Sequence, residues 1–167
     1  MKNKQVRDDA YFMLQALKEA SKAQESQEVP VGAVIVKDGK IIARGFNKCI
    51  ALSDPTAHAE IIALRKAAKK LKNYRLNDCC LYATIEPCAM CAGALVNARI
   101  KKIIFGAFDK KVDYCGNVLK TADTKKPNCR IEIDGGREEY LSRECADIIK
   151  FFFKKVRQQK HKSIKII

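Results

Sequence analysis

The sequence predicts an α/β protein built as one layered domain, on three observations. Apolar segments of helical period alternate with short apolar runs of strand type along the chain. No linker interrupts them and no internal repeat is visible. The 167 residues, 47% hydrophobic, suffice for one sizeable core and hardly for two. The domain is expected to span residues 1–159, followed by a basic, disordered tail over 160–167.

Taken in order, Phe12, Ala16, Leu17, Ala20 and Ala23 share one stripe of a helix from about Asp9 to Gln24. Val31 to Val36 and Lys40 to Phe46 read as strands. Asp38-Gly39 between them is a hairpin turn signal, since both residue types tolerate positive φ. Asp54-Pro55 reads as the N-cap and first residue of a second helix, whose Ile61, Ile62 and Leu64 lead toward Lys69-Lys70. A strand near Cys80 to Ile85 follows, then a helix starting at Pro87, then a strand near Lys102 to Phe105. Beyond a polar, irregular stretch, Arg130 to Ile133 adds a short strand. Leu141, Cys145, Ile148, Ile149 and Phe152 then recur at the spacing of a last helix. From Lys160 onward charge mixes with Ile164, Ile166 and Ile167 in a segment too short to hold a helix alone.

The chemistry is carried by His58-Ala59-Glu60 and Pro87-Cys88-Ala89-Met90-Cys91. One imidazole and two thiols suit zinc, and three protein ligands leave a fourth position for water, where four would make a closed structural site. The chain has two histidines. His161 lies in the lysine-rich tail with no cysteine pair nearby, which leaves His58 as the nitrogen ligand. His58 and Glu60, two apart on a helix, diverge by about 200° around the axis, so Glu60 belongs beside the metal rather than on it. Cys88 and Cys91, three apart at a helix start, share a face where the helix dipole favours thiolates. Two competing readings are buried cysteines beside a core histidine and a redox pair of thioredoxin type. The first requires four residue types to coincide at two helix starts; the second leaves His58 and Glu60 unexplained.

Lys and Arg number 33 against 19 acidic residues, a net charge of +14, which points to a polyanionic partner over a small neutral metabolite. The stretches Arg65 to Arg75 and Lys150 to Lys165 contain no acidic residue, although solvated helix faces carry such runs too. Of eight cysteines, Cys49, Cys79, Cys80, Cys115, Cys129 and Cys145 lie outside the motif. The N-terminus Met1-Lys2-Asn3-Lys4-Gln5 has no apolar signal segment and no run is long enough to span a membrane. A reducing cytoplasm is therefore expected, with these six as free thiols or small core residues.

On these residues the chain resembles the zinc-dependent nucleoside and nucleobase deaminases of the cytidine deaminase superfamily, and within them the bacterial tRNA adenosine deaminases that make inosine at the wobble position. The resemblance runs from roughly Asp9 to Gln159. Its most specific pieces are Glu28-Val29-Pro30-Val31-Gly32-Ala33-Val34, Asp54-Pro55-Thr56-Ala57-His58-Ala59-Glu60-Ile61, Asn73-Tyr74-Arg75-Leu76, Glu86-Pro87-Cys88-Ala89-Met90-Cys91-Ala92-Gly93-Ala94, and Phe105-Gly106-Ala107 ahead of Asp109.

It implies a three-layer α/β/α cytidine-deaminase-like fold around a central five-stranded mixed sheet, in a homodimer paired through helices next to the metal site. Met90, Ala94 and Leu95 would suit that contact. One Zn2+ per subunit would sit on His58, Cys88 and Cys91 and activate water for attack on C6 of adenine, with Glu60 shuttling protons. Asn47 would hydrogen-bond the flipped purine, or else serve only as a turn residue after the second strand. Val29, Pro30 and the backbone around Ala59 would shape the base pocket. Asp109 and Phe153 would meet the anticodon loop through a 2′-OH bond and base stacking, while Phe152 packs in the core. The implied substrate is the anticodon stem-loop of tRNA-Arg with an ACG anticodon.

Asp113-Tyr114-Cys115-Gly116-Asn117 is bulkier than the corresponding loop of relatives. Gly135 to Tyr140 reads as an extension ahead of the last helix, and Phe151 stands where a polar residue is more usual. Two other functions compete: a free-base or nucleoside deaminase for guanine, cytosine or cytidine, and a zinc-stabilised RNA-binding scaffold without turnover. The intact Glu60 speaks against the scaffold.

Overall fold

The computed structural model describes residues 2–109 and 131–164, with side chains over 9–109 and 131–159. The elements are α1 (Lys2–Glu25), β1 (Gly32–Lys37), β2 (Lys40–Phe46), α2 (Ala59–Leu71), β3 (Cys80–Ile85), α3 (Ala89–Asn97), β4 (Lys102–Ala107), β5 (Glu132–Gly135), a 3-10 turn (Glu138–Tyr140) and α4 (Ser142–Ile164). The expected bulky loop at 113–117, Cys115, Cys129 and the first residue of the expected last strand, Arg130, lie outside the described residues.

The strands form one five-stranded mixed sheet in the order β2-β1-β3-β4-β5. β1 is antiparallel to both β2 and β3, whereas β3, β4 and β5 run parallel. The period-two alternation of strand side chains divides the core between two faces. Ala33, Ile35, Leu81, Ala83, Ile103 and Phe105 pack with buried residues of α2 and α3, among them Ala63, Leu64, Cys91 and Leu95. Val34, Val36, Tyr82 and Ile104 point the other way and pack with Phe12, Met13 and Ala16 of α1 and Cys145 of α4. The three-layer α/β/α architecture is the one the resemblance implies.

Two glycines set how closely the helices approach. A Cβ on Gly32 would collide with the Ala16 carbonyl of α1, and one on Gly45 with the Ala59 carbonyl and Ala63 nitrogen of α2. The first turn of α2 is thereby pressed against β2. Asp38 and Gly39 adopt φ of 51° and 71°, the double positive φ expected of the hairpin, and a register shift lies between Ile35 and Val36.

Several boundaries differ from the sequence reading, β5 covering Glu132–Gly135 against the expected Arg130 to Ile133. α1 begins at Lys2 rather than near Asp9. α2 begins at Ala59 and not at Pro55, because the Asp54 carboxylate accepts bonds from the Thr56 N–H (2.8 Å) and Oγ1 (2.6 Å) and closes a local turn. His58, extended at φ −70° and ψ 155°, takes the N-cap position instead. In α3 the N-cap is Cys88, with Pro87 just outside. α4 continues through Ile164, past the tail boundary expected at Lys160; residues 154–162 contain no glycine or proline and are mostly Lys, Arg and Gln, good helix formers that extend a helix already nucleated by packing. Leu95 is fully buried in the core of its own chain, so of the apolar run expected at a dimer contact only Met90 and Ala94 reach the surface.

Candidate active site

The N-termini of α2 and α3 meet at one place. The chain leaves β2 at Phe46, loops through 47–57 and enters α2 at His58; it leaves β3 at Ile85 and enters α3 through Glu86-Pro87-Cys88. Nδ1 of His58 lies 3.7 Å from Sγ of Cys88 and 3.6 Å from Sγ of Cys91, and all three donor atoms are within 4.8 Å of one another. Ordinary zinc–sulfur and zinc–nitrogen bond lengths at a tetrahedral angle separate S and N by about 3.5 Å, so the donors already stand at the spacing of one ion. No further His, Cys, Asp or Glu joins this group among the described residues.

The protons of the cluster are distributed accordingly. The Cys91 thiol and His58 both hydrogen-bond Cys88 and bring its pKa down to about 4, a thiolate at neutral pH. Cys91, donating to Cys88 and buried, is pushed up. His58 is raised by its bond to Cys88. Glu60, in the first turn of α2 and 2% exposed, has its pKa raised by burial. Its Oε2 is the one buried side-chain polar atom without a hydrogen-bond partner among the described residues. Such an orphan costs about 1–3 kcal/mol.

Asn47 is buried, and its Oδ1 accepts the N–H of Ala59 at 2.9 Å, so it both ends β2 and tethers the first residue of α2. Its Nδ2 makes no hydrogen bond among the described residues, leaving a donor free. Pro30 is buried and Val29 half-buried just before β1, and Ala59 is buried at the start of α2. Asp109 stands at the exit of β4, where its N–H donates to Oε2 of the buried Glu86, immediately before Pro87. Phe153 lies outside the cluster on α4, the helix of the opposite face, 41% exposed and edge-on to Phe152 at 5.4 Å. Phe152 is half-buried and Phe151 64% exposed. Sequence reasoning gave no role to Glu28, which is buried and accepts the N–H groups of Ile50 (2.9 Å) and Ala51 (2.8 Å). Its one signal is an acid directly before the apolar run Val29-Pro30-Val31.

The family model of the MafB19-like deaminases matches residues 7–157. The tRNA-specific adenosine deaminase of Haemophilus influenzae is 47% identical over 153 residues, covering 91% of this chain and 87% of that one. A solved structure from a study of A-to-I editing by tRNA:A34 deaminases at the wobble position of transfer RNA is 41% identical. It superposes with a TM-score of 0.72 over 83% of this chain and 98% of its own. The structure of guanine deaminase from Bacillus subtilis, 40% identical, gives a TM-score of 0.58 over 70% of this chain and 76% of its own. The chain therefore belongs to the MafB19-like deaminases by its family model and to the bacterial tRNA-specific adenosine deaminases by its relatives.

Proposed function

We propose that the protein converts the wobble adenosine of tRNA to inosine by hydrolytic deamination, with one zinc ion per subunit held by His58, Cys88 and Cys91. The observation that carries this reading is the buried Glu60 carboxyl with an unpaired oxygen beside a His/Cys/Cys donor set. Zinc, when bound, supplies Lewis-acid activation of water at neutral pH. Glu60 takes a proton from the water adding at C6 of adenine and delivers it to N1. A second transfer to the exocyclic nitrogen lets ammonia leave, and the water oxygen becomes the 6-oxo group of inosine. Its raised pKa suits a group that must both accept and return a proton.

The free Nδ2 of Asn47 donates to a purine ring nitrogen, while its Oδ1 bond to Ala59 fixes the distance between base and helix start. Val29, Pro30 and the Ala59 backbone wall the base. Asp109 and Phe153 serve the flanking nucleotides through a 2′-OH bond and stacking, the exposed ring of Phe153 being available for it. The substrate is the anticodon stem-loop of an ACG tRNA, the assembly a homodimer and the compartment the cytoplasm. A net charge of +14 suits RNA, and no described helix is long and apolar enough to cross a membrane.

The likeness to a guanine deaminase gives the second reading, turnover of a free base. An ACG stem-loop, the same loop with guanosine at the wobble position, and free adenine, guanine and cytosine separate the two. Inosine formed only in the first RNA supports the proposal; rapid ammonia release from a free base with no RNA product replaces it. A non-catalytic scaffold would leave the cost of burying Glu60 unpaired without a purpose.

A further inference from the structure

Glu28 lies outside the machinery described above, yet it is 2% exposed and forms no ion pair among the described residues. A carboxylate buried without a cation is held by hydrogen bonds or not at all. Here a single oxygen, Oε1, accepts the N–H groups of both Ile50 and Ala51. Those amides belong to the loop 48–57, which is tied within itself by Lys48 N–H to the Ala57 carbonyl (2.9 Å) and Asp54 N–H to the Cys49 carbonyl (3.1 Å). Asn47 precedes this loop and His58 follows it. On the other side, the backbone of Glu28 is anchored to the end of α1 through its N–H to the Ala23 carbonyl (2.9 Å), and Val29 and Pro30 come next in the chain. The two hydrogen bonds thus join the 28–30 segment to the loop bounded by Asn47 and His58. An apolar residue would fill the space with less desolvation but would leave two loop amides without acceptors.

We propose that Glu28 is a positioning residue, clamping the 48–57 loop so that Asn47 and His58 at its two ends keep their places against Val29 and Pro30. The inference rests on the deaminase reading of Asn47 and His58 given above. The test compares the zinc-loaded wild-type protein with Glu28→Ala and Glu28→Gln, measuring kcat and KM on the ACG stem-loop, zinc content, and amide hydrogen exchange at Ile50, Ala51 and the core residue Ile104. Glu28→Ala should lose about tenfold to a hundredfold in kcat/KM, the scale of a slightly misplaced reacting geometry, with the site still loaded at saturating zinc. Exchange should accelerate at Ile50 and Ala51 and stay as it was at Ile104. Glu28→Gln, whose amide oxygen can still accept both bonds, should recover most of the loss. Wild-type kinetics in Glu28→Ala would overturn the clamp, as would a loss matched by zinc release and faster exchange throughout the sheet. If the wild-type protein makes no inosine, the deaminase reading fails by itself, and the exchange at Ile50 and Ala51 still decides whether Glu28 holds the loop.

Discussion

At the scale of single residues, burial of Glu60 has a consequence for stability that can be signed. Its folded pKa is raised above the unfolded value near 4.5. Below that value the carboxyl is protonated in both states and contributes nothing. As pH rises through it, the unfolded chain ionises first and the folded state is progressively disfavoured, up to the folded pKa. Glu60→Gln removes the titration. In the zinc-free protein the variant should be more stable than wild type at pH 7.5, and the gap should close toward pH 4.5. Thermal unfolding across this range checks it, and a pH-independent gap would contradict the assignment of the cost to the charged carboxyl. His58, Cys88 and Cys91 were legible in the sequence because ligand chemistry restricts residue type and spacing together. Glu28 was not, since its partners are backbone amides more than twenty positions away, with no side-chain type to betray them.

At the scale of elements, the site depends on α2 lying tight against β2. Gly45→Ala would drive a methyl group into the Ala59 carbonyl and Ala63 nitrogen, backbone atoms that cannot rotate away. It should cost about 1–3 kcal/mol of stability and lower zinc affinity by shifting His58 against Cys88 and Cys91. Denaturant unfolding with metal analysis reads both effects, and a variant with unchanged stability and zinc content would show that the helix can move without disturbing the ligands. Periodicity made the type and order of every element through α3 and β4 readable. The start of α2 was displaced because Asp54 and Pro55 carry the same chemistry in a free turn as in a helix cap, and only the closed Asp54–Thr56 contact distinguishes them. The strand order β2-β1-β3-β4-β5 is seen only in the structure; the resemblance implied a five-stranded mixed sheet, and a period of two says which face a residue occupies and nothing about its neighbour strand.

At the scale of the whole molecule, the excess of positive charge bears on what the site receives. Binding of an anticodon stem-loop should weaken steeply with rising salt through counterion release, and Phe153→Ala should weaken it by a further 1–3 kcal/mol or so, from lost stacking. Fluorescence anisotropy at several salt concentrations measures both; affinity indifferent to salt would remove RNA as the partner of this surface. The central claim joins the donor cluster, Glu60 and tRNA in one reaction. Its most direct test is incubation of unmodified full-length ACG tRNA with zinc-loaded wild-type protein and with Glu60→Gln, followed by sequencing across the anticodon. Adenosine at the wobble position should read as inosine after the wild-type reaction and remain adenosine with Glu60→Gln, zinc content being equal in the two. Unchanged adenosine with the wild-type protein, or inosine formed by Glu60→Gln at the wild-type rate, would contradict it.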